Sequence, residues 1–313
     1  MMIDMAPRVL QARGAFVCLV ADATMRGGMA GTLFIVATPI GNLEDITHRA
    51  VRVLREVDLI ACEDTRHTQK LLNHFGINAR TLSYHEYNER ERAEQLCELL
   101  EQGKNIALVS DAGTPLISDP GFRIVNAAIE RGINVVPIPG SAAFVAALAA
   151  SGLPTGQFLF AGFLPARATA RRAKLEELSA TPATLVFYEA PHRIASSLKD
   201  AAEVLGNRQA VIARELTKLH EEIMRGSLRE LAEQFESRTA KGEIVLLIDG
   251  ANKTSSSRDG ASASPETLIA RVSELEQQGT DSKEALKVAA RELGLKRAEA
   301  YRMMLAQKKR RSK

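Results

Sequence analysis

The sequence predicts an α/β fold, because short apolar segments of strand length alternate with amphipathic segments of helix length from residue 32 onward. Continuous apolar strands indicate a sheet that is covered on both faces. The uneven spacing in the middle of the chain favours a mixed sheet over a purely parallel one. The predicted strands are 33–37, 57–61, 106–110, 134–138, 184–188, 209–213 and 243–249, and the clearest predicted helices are 46–56, 89–102, 122–131 and 142–150.

The length of 313 residues suits about two globular domains. A Gly- and Pro-containing segment after residue 150 predicts one α/β subdomain at 31–150 and a second at 151–250. Residues 251–264 are poor in apolar side chains and predict a flexible linker, and 265–313 predict a small helical module. The short apolar run at 16–20 only loosely imitates a secretory signal, so we expect residues 1–30 to form a disordered extension; the alternative is that translation starts at Met25 or Met29.

The positive charge is concentrated at the C-terminal end. Residues 265–313 carry a net charge of +5, while the whole chain carries +3. Segments 283–293 and 296–307 predict a helix-turn-helix-like unit, and this charge segregation favours contact with nucleic acid over a plain docking module. The RNA-binding candidates in the chain are Arg66, Arg171, Arg172, Lys174, Lys296, Arg297, Lys308 and Arg310. Residues 171–174 fit an ordinary solvated helix face as well as they fit an RNA-binding role.

Several classes of function are excluded by missing patterns. The three cysteines have no Cys-x-x-Cys spacing, so the sequence predicts neither disulfides nor a cysteine zinc site and suits the cytoplasm. No His-Glu-x-x-His set indicates a metal, and no P-loop, dinucleotide fingerprint or serine-hydrolase elbow occurs. No apolar run approaches the roughly 20 residues of a membrane span.

Three unusual loops follow predicted strands. They are TPIGNL at 38–43, SDAGTPLISDPG at 110–121 and PIPGS at 137–141. Each alone could be a tight turn, but three at strand ends favour a ligand cleft. Polar clusters at 63–67, 85–89, 188–193 and 214–218 add charged side chains, although several of them also suit helix caps. The combination predicts binding of a small zwitterionic cofactor beside a second substrate.

Four blocks resemble a known family. TPIGNL, EDTR at 63–66, SDAGTPLISDPG and YEAPHR at 188–193 are similar to the blocks of the bacterial 16S rRNA (cytidine-2′-O)-methyltransferase I family, in the tetrapyrrole (corrin/porphyrin) methylase superfamily. The resemblance covers about residues 31–250 and implies two α/β halves with S-adenosylmethionine in the cleft between them, usually in a homodimer. It also implies methylation of the ribose 2′-hydroxyl of cytidine 1402 in 16S rRNA of the small ribosomal subunit.

By motif match, the resemblance implies a set of cofactor-binding residues, which are Pro39, Gly41, Asp111, Ala112, Gly113, Thr114, Ile117, Ser118, Ser141, Ala142 and Tyr188. The reaction needs no metal or covalent nucleophile, but a base helps to remove the hydroxyl proton. Our candidates for that base are Glu189 and His192, with Arg193 or Arg214 orienting phosphate. Two rival functions stay open, a tetrapyrrole precursor methyltransferase and a non-catalytic ribosome-assembly factor.

Overall fold

The computed structural model describes residues 30–251 apart from 237 and 239, and residues 265–304 apart from 278, 280, 293–299 and 303. Within these ranges the strands are β1 Thr32–Val36, β2 Leu59–Cys62, β3 Thr81–Ser83, β4 Ile106–Val109, β5 Asn134–Ile138, β6 Phe158–Phe163, β7 Thr184–Glu189, β8 Gln209–Arg214, β9 Glu222–Ser227 and β10 Ile244–Ile248. The helices are α1 His48–Glu56, α2 Thr65–His74, α3 Glu89–Glu101, α4 Phe122–Glu130, α5 Ala143–Ser151, α6 Ala168–Leu178, α7 Ile194–Leu205, α8 Leu228–Glu236, α9 Pro265–Gln277 and α10 Ser282–Glu292.

The first five strands form a parallel sheet in the order β3-β2-β4-β1-β5. Helices cover both of its faces, because the central strands are apolar on both sides. The carboxyl ends of all five strands therefore lie at one edge, where the loops that follow β1, β2, β4 and β5 come together.

The other five strands form a second sheet in the order β6-β7-β10-β8-β9. The pair β6 and β7 is parallel, whereas β10 runs antiparallel to both of its neighbours and β9 runs antiparallel to β8. The prediction of one mixed sheet is therefore wrong for the first half, whose sheet is purely parallel, and it holds only for the second. Strands β3, β6 and β9 were not predicted, and each lies at the edge of a sheet.

Helix α5 connects the two halves. It follows the last strand of the first sheet, yet its residues Ala147 and Leu148 pack against Val186 and Val245 of the second sheet. Arg225 on β9 donates hydrogen bonds to the carbonyl oxygens of Ala150 and Ser151 at the end of α5. The predicted boundary near residue 150 thus falls at the end of a helix that is buried against the second half, so the two halves share a core.

Helices α9 and α10 pack against each other through a small core of their own, centred on Leu268, Val272, Ala285 and Ala289. The predicted extension, except its last residue, and all of the predicted linker except residue 251 lie outside the described residues.

Candidate active site

A cleft of about 390 Å³ lies where the carboxyl ends of the first sheet meet the second sheet. Loops after β1, β2, β4 and β5 form one wall, and the ends of β6, β7 and β8 with the start of β10 form the other. The side of the first half is lined by Ile40, Glu63, Asp111, Ala112, Gly113, Thr114, Ile117, Ser118, Asp119, Ala142 and Ala143. The side of the second half is lined by Phe163, Tyr188, Glu189, Ala190, Pro191, Ala213, Leu216, Gly242, Glu243, Ile244 and Val245.

The loop after β4 is held in an unusual backbone conformation. Leu116 and Ser118 have φ values of 72° and 66°, a region that L side chains rarely adopt, and Gly113 has a φ of 83°. Thr38 and Gly113 exchange two backbone hydrogen bonds of 2.8 and 3.1 Å, and Thr114 Oγ1 donates to the carbonyl oxygen of Ser141 at 3.0 Å. These bonds join the loops after β1, β4 and β5 into one rigid wall, and strain of this kind typically lies at functional sites.

The opposite wall contains a second strained turn, at the end of β8. Glu215 and Thr217 have φ values of 51° and 66°. Thr217 Oγ1 accepts a hydrogen bond of 3.1 Å from the backbone N–H of Asn42, which bridges the two halves beside the cleft. Lys218 forms ion pairs of 2.9 Å with Glu215 and with Glu243. The Asn42–Thr217 bond therefore joins the two halves beside the cleft, and the ion pairs of Lys218 hold the turn from within the second half.

The first wall of the cleft is acidic. Burial raises the pKa of the Glu63 carboxyl, and the nearby Asp119 and Asp111 raise it further. Burial also raises the pKa of Asp119, with a smaller rise from Asp111 and an opposing effect of a hydrogen bond from Ser110. Burial likewise raises the pKa of the Tyr188 hydroxyl. A ligand with positive charge would relieve the repulsion among these carboxylates.

Eight predicted cofactor residues line this cleft, which are Asp111, Ala112, Gly113, Thr114, Ile117, Ser118, Ala142 and Tyr188. Pro39, Gly41 and Ser141 do not line it. Pro39 is buried, Gly41 lies against the side chains of Thr217 and Lys218, and Ser141 contributes its carbonyl oxygen to the loop contact with Thr114. These three residues shape the wall rather than face the cavity.

The structure contradicts the prediction that Glu189 is a base. Its carboxylate is fully buried and accepts hydrogen bonds from the backbone N–H of Ala190 at 2.8 Å and from Ser197 Oγ at 2.5 Å. The Arg193 guanidinium donates two more, one of them from Nε at 2.8 Å. These four hydrogen bonds direct the carboxylate to groups of the protein itself. Glu189 instead anchors the turn between β7 and α7.

The two arginines predicted to orient phosphate are also engaged inside the protein. Arg193 pairs with Glu189 and donates to the carbonyl oxygen of Leu164 at 2.9 Å. Arg214 pairs with Glu222 at 3.0 Å, donates to the carbonyl oxygen of Lys241, and has only 16% of its side chain exposed. The structure thus argues against a phosphate-orienting role for either residue. His192, by contrast, is exposed; it does not line the cleft, although its chain neighbour Pro191 does.

Among the predicted RNA-binding residues, Arg171 is misassigned. Its side chain is 5% exposed and pairs with Asp200, which is equally buried, with a nitrogen–oxygen distance of 2.5 Å. Arg172 pairs with Asp200 and Glu203 but remains half exposed, Lys174 pairs with Glu177, and Arg66 is 88% exposed. Those three stay predictions, whereas Lys296, Arg297, Lys308 and Arg310 lie outside the described residues.

Several cleft residues are not among the predicted site residues. Asp119 lies within the predicted loop and Glu63 within a predicted polar cluster, so the sequence carries a signal for both. Phe163 and the segment at 242–245 gave no signal, because they reach the cleft only through the packing of the second sheet. Among the described residues, no group of His, Cys, Asp and Glu could hold a metal ion, and no helix is long and apolar enough to cross a membrane.

Comparisons with known proteins give a coherent family assignment. The model of the tetrapyrrole (corrin/porphyrin) methylases matches residues 32–232. The chain is 49% identical over 278 residues to a ribosomal RNA small subunit methyltransferase I of Halalkalibacterium halodurans, covering 87% of this chain and 93% of that protein. It is 54% identical over 224 residues to the protein of the same name in Pseudomonas aeruginosa, covering 71% and 79%.

Solved structures show the same fold at low identity. A cobalt precorrin-4 methyltransferase has a TM-score of 0.56 at 17% identity, with 72% of this chain and 97% of that chain covered. A uroporphyrin-III-C-methyltransferase from Thermus thermophilus has a TM-score of 0.52 at 19% identity, with 70% and 94% covered. The predicted architecture of two α/β halves with a cleft between them is thereby confirmed.

Proposed function

Since the chain belongs to the tetrapyrrole (corrin/porphyrin) methylase family, and within it to the ribosomal RNA small subunit methyltransferase I proteins, we propose that it methylates 16S rRNA of the small ribosomal subunit. We further propose S-adenosylmethionine as the methyl donor and the ribose 2′-hydroxyl of cytidine 1402 as the acceptor. The observation that carries the proposal is the 49% identity that extends over 93% of a relative with that name.

The cleft suits S-adenosylmethionine in charge and size. The cofactor carries a sulfonium and an ammonium group, and Glu63, Asp111 and Asp119 supply negative charge on one wall. A volume of about 390 Å³ lies within the usual range for small-molecule sites. The backbone of residues 112–118, fixed by the Thr38–Gly113 bonds, offers N–H and carbonyl groups to the polar parts of the cofactor.

When bound, S-adenosylmethionine supplies a methyl group that is already electrophilic. The protein therefore needs mainly to position the acceptor and to exclude water. The rigid wall formed by the loops after β1, β4 and β5 provides that positioning, which can contribute roughly 7–11 kcal/mol in favourable cases. Of the two proposed bases, His192 is the one that is exposed, and it directly follows Pro191, which lines the cleft. We propose that its imidazole takes the proton from the 2′-hydroxyl.

Further parts of the proposal concern the partners. We propose that the basic module at 265–313 contacts RNA phosphates together with the exposed cations Arg66, Arg172 and Lys174. RNA affinity should therefore fall steeply as the salt concentration rises.

We also propose a homodimer, supported by Phe122 and Ile129, which are 71% and 60% exposed and lie seven residues apart on α4. Light scattering after Phe122→Glu tests this interface. A cytoplasmic location follows from the proposed substrate.

The test of the reaction is transfer of labelled methyl from S-adenosylmethionine to undermethylated small ribosomal subunits, followed by mapping of the modified ribose. A single 2′-O-methylcytidine is the expected result. Cofactor binding without transfer would favour a tetrapyrrole precursor methyltransferase, whereas neither binding nor transfer would leave a non-catalytic ribosome-assembly factor.

A further inference from the structure

We propose that the exposed ring of Phe163 is the platform on which the nucleobase of the target nucleotide stacks while its ribose is methylated. This inference rests on the proposed function and identifies how the acceptor is held at the same cleft. Phe163 lines the cleft and is nevertheless 56% exposed. A large aromatic side chain that stays exposed at the mouth of a polar cleft has a free face for a flat ligand.

The local backbone turns this ring toward the cleft. The pairing of β6 with β7 is in regular register up to Phe160 and Val186, and then shifts before Phe163 pairs with Tyr188. Gly162, within this bulge, has a φ of 65°. Bulges of this kind re-aim side chains beside active sites. The bulge interrupts the pairing of β6 with β7, and a functional role of the re-aimed Phe163 side chain would explain why it is present.

The ring is held by an aromatic contact. Tyr188 contacts Phe163 edge-on, with ring centroids 5.6 Å apart and planes at 61°. Tyr188 in turn contacts Phe160, and Phe160 stacks on Phe144 of α5. This row of rings holds Phe163 in place and links it to the shared core of the two halves.

Phe163 also lies next to the strained loop of the first half. A Cβ atom placed on its neighbour Gly162 would be 3.6 Å from Ser118 Oγ, so the bulge touches the loop that carries Asp119. A base stacked on Phe163 would therefore lie beside the loop that carries Asp119. Single-stranded RNA is recognised in this manner, because bases that leave the helix stack on exposed aromatic rings.

The experiment compares Phe163→Leu, Phe163→Tyr and Phe163→Trp in methyl transfer to undermethylated small ribosomal subunits. Loss of a base–aromatic stack should lower kcat/KM of Phe163→Leu by roughly 5- to 150-fold, while the two aromatic variants stay within about threefold of wild type. Binding of S-adenosylmethionine, measured by calorimetry, should be unchanged in all three. The matched control is Phe158→Leu, because Phe158 is 45% exposed on the same strand but does not line the cleft.

A direct readout is available because the chain contains no tryptophan. In Phe163→Trp the only indole should be quenched by an RNA fragment that the wild-type protein methylates, and not by S-adenosylmethionine alone. In Phe158→Trp the same RNA should leave the fluorescence unchanged. This measurement reports stacking even if Phe163→Leu folds poorly.

Three results would overturn the inference. Phe163→Leu could keep wild-type kcat/KM, the aromatic variants could fail as badly as leucine, or cofactor affinity could fall by the same factor as kcat/KM. The last result would make Phe163 part of the cofactor site. If the wild-type protein itself transfers no methyl group to ribosomal subunits, the proposed function fails first, which is a distinct outcome.

Discussion

Replacing Arg171 separates a structural arginine from an RNA-binding one. In Arg171→Met the guanidinium is lost from a pair in which Arg171 Nε and Asp200 Oδ2 are 2.7 Å apart and both side chains are 5% exposed. The Asp200 carboxylate would keep only its bond to Arg172. Removing one partner of a buried pair costs about 3–5 kcal/mol, and here the half-exposed Arg172 would compensate only part of the buried charge on Asp200. We expect the free energy of unfolding to fall by that amount.

The assay is urea unfolding followed by circular dichroism, with RNA affinity measured separately under native conditions. Arg172→Met is the matched control, since Arg172 bonds the same carboxylate but is 47% exposed and also pairs with Glu203. An exposed pair is worth about 0.2–1 kcal/mol, so this variant should unfold close to wild type. The double variant Arg171→Met with Asp200→Leu should recover most of the loss, because it removes both buried charges.

If Arg171→Met unfolds at the same urea concentration as wild type, the buried pair with Asp200 does not stabilise the fold. If it also binds RNA more weakly while folded, the RNA-binding role predicted from the sequence would be correct after all. The expected pattern is the reverse, with lower stability and unchanged RNA affinity of the folded protein.

Substitutions at three other positions have defined outcomes. Gly113→Ala should weaken S-adenosylmethionine binding in calorimetry, because a side chain at a φ of 83° strains the loop that lines the cleft by roughly 1–2 kcal/mol. Gly156→Ala is the control and should leave binding unchanged, since Gly156 lies in open space. Glu63→Gln should unfold at higher urea than wild type at pH 8 and equally below about pH 4.5. The reason is that the pKa of Glu63 is higher in the folded protein than in the unfolded chain. The resulting stabilisation of the folded state is present below the unfolded-state pKa and is lost as pH rises through the folded-state pKa. His192→Ala should lower kcat by about 10²- to 10⁴-fold with unchanged cofactor affinity, and wild-type kcat would remove His192 as the base.

Burial explains most of the strand predictions. Central strands such as β4 and β10 are buried on both faces and appear in the sequence as unbroken apolar runs. Among the missed edge strands, β3 has only three residues and β9 is half polar, so both carry a weak signal. Burial does not explain β6, whose sequence FLFAGF is continuously apolar, or the edge strand β5, which was predicted correctly at 134–138.

The candidate site was predictable where it depends on loops that follow strands. The glycines, prolines and aspartates of the segment at 110–121 predict a functional loop, and the family resemblance implies that it binds the cofactor; residues 111–114 and 117–119 line the cleft. The opposite wall was only partly foreseen. Residues 242–245 and Phe163 reach the cleft because the second sheet packs beside α5, which is a contact between segments far apart in the chain.

By itself, the sequence determined the alternation of strands and helices, the position of the strained loops and the family to which the chain belongs. These are local properties, since apolar periodicity and the backbone freedom of glycine act over a few residues. Only the tertiary structure decided which charged groups are free. Nothing in the local sequence distinguishes Glu189 and Arg171 from exposed charged residues. In the structure both are buried beside a partner, which for Glu189 lies four positions away and for Arg171 twenty-nine positions away. Burial and pairing determine the chemistry of a charged side chain, and both depend on residues that only folding brings together.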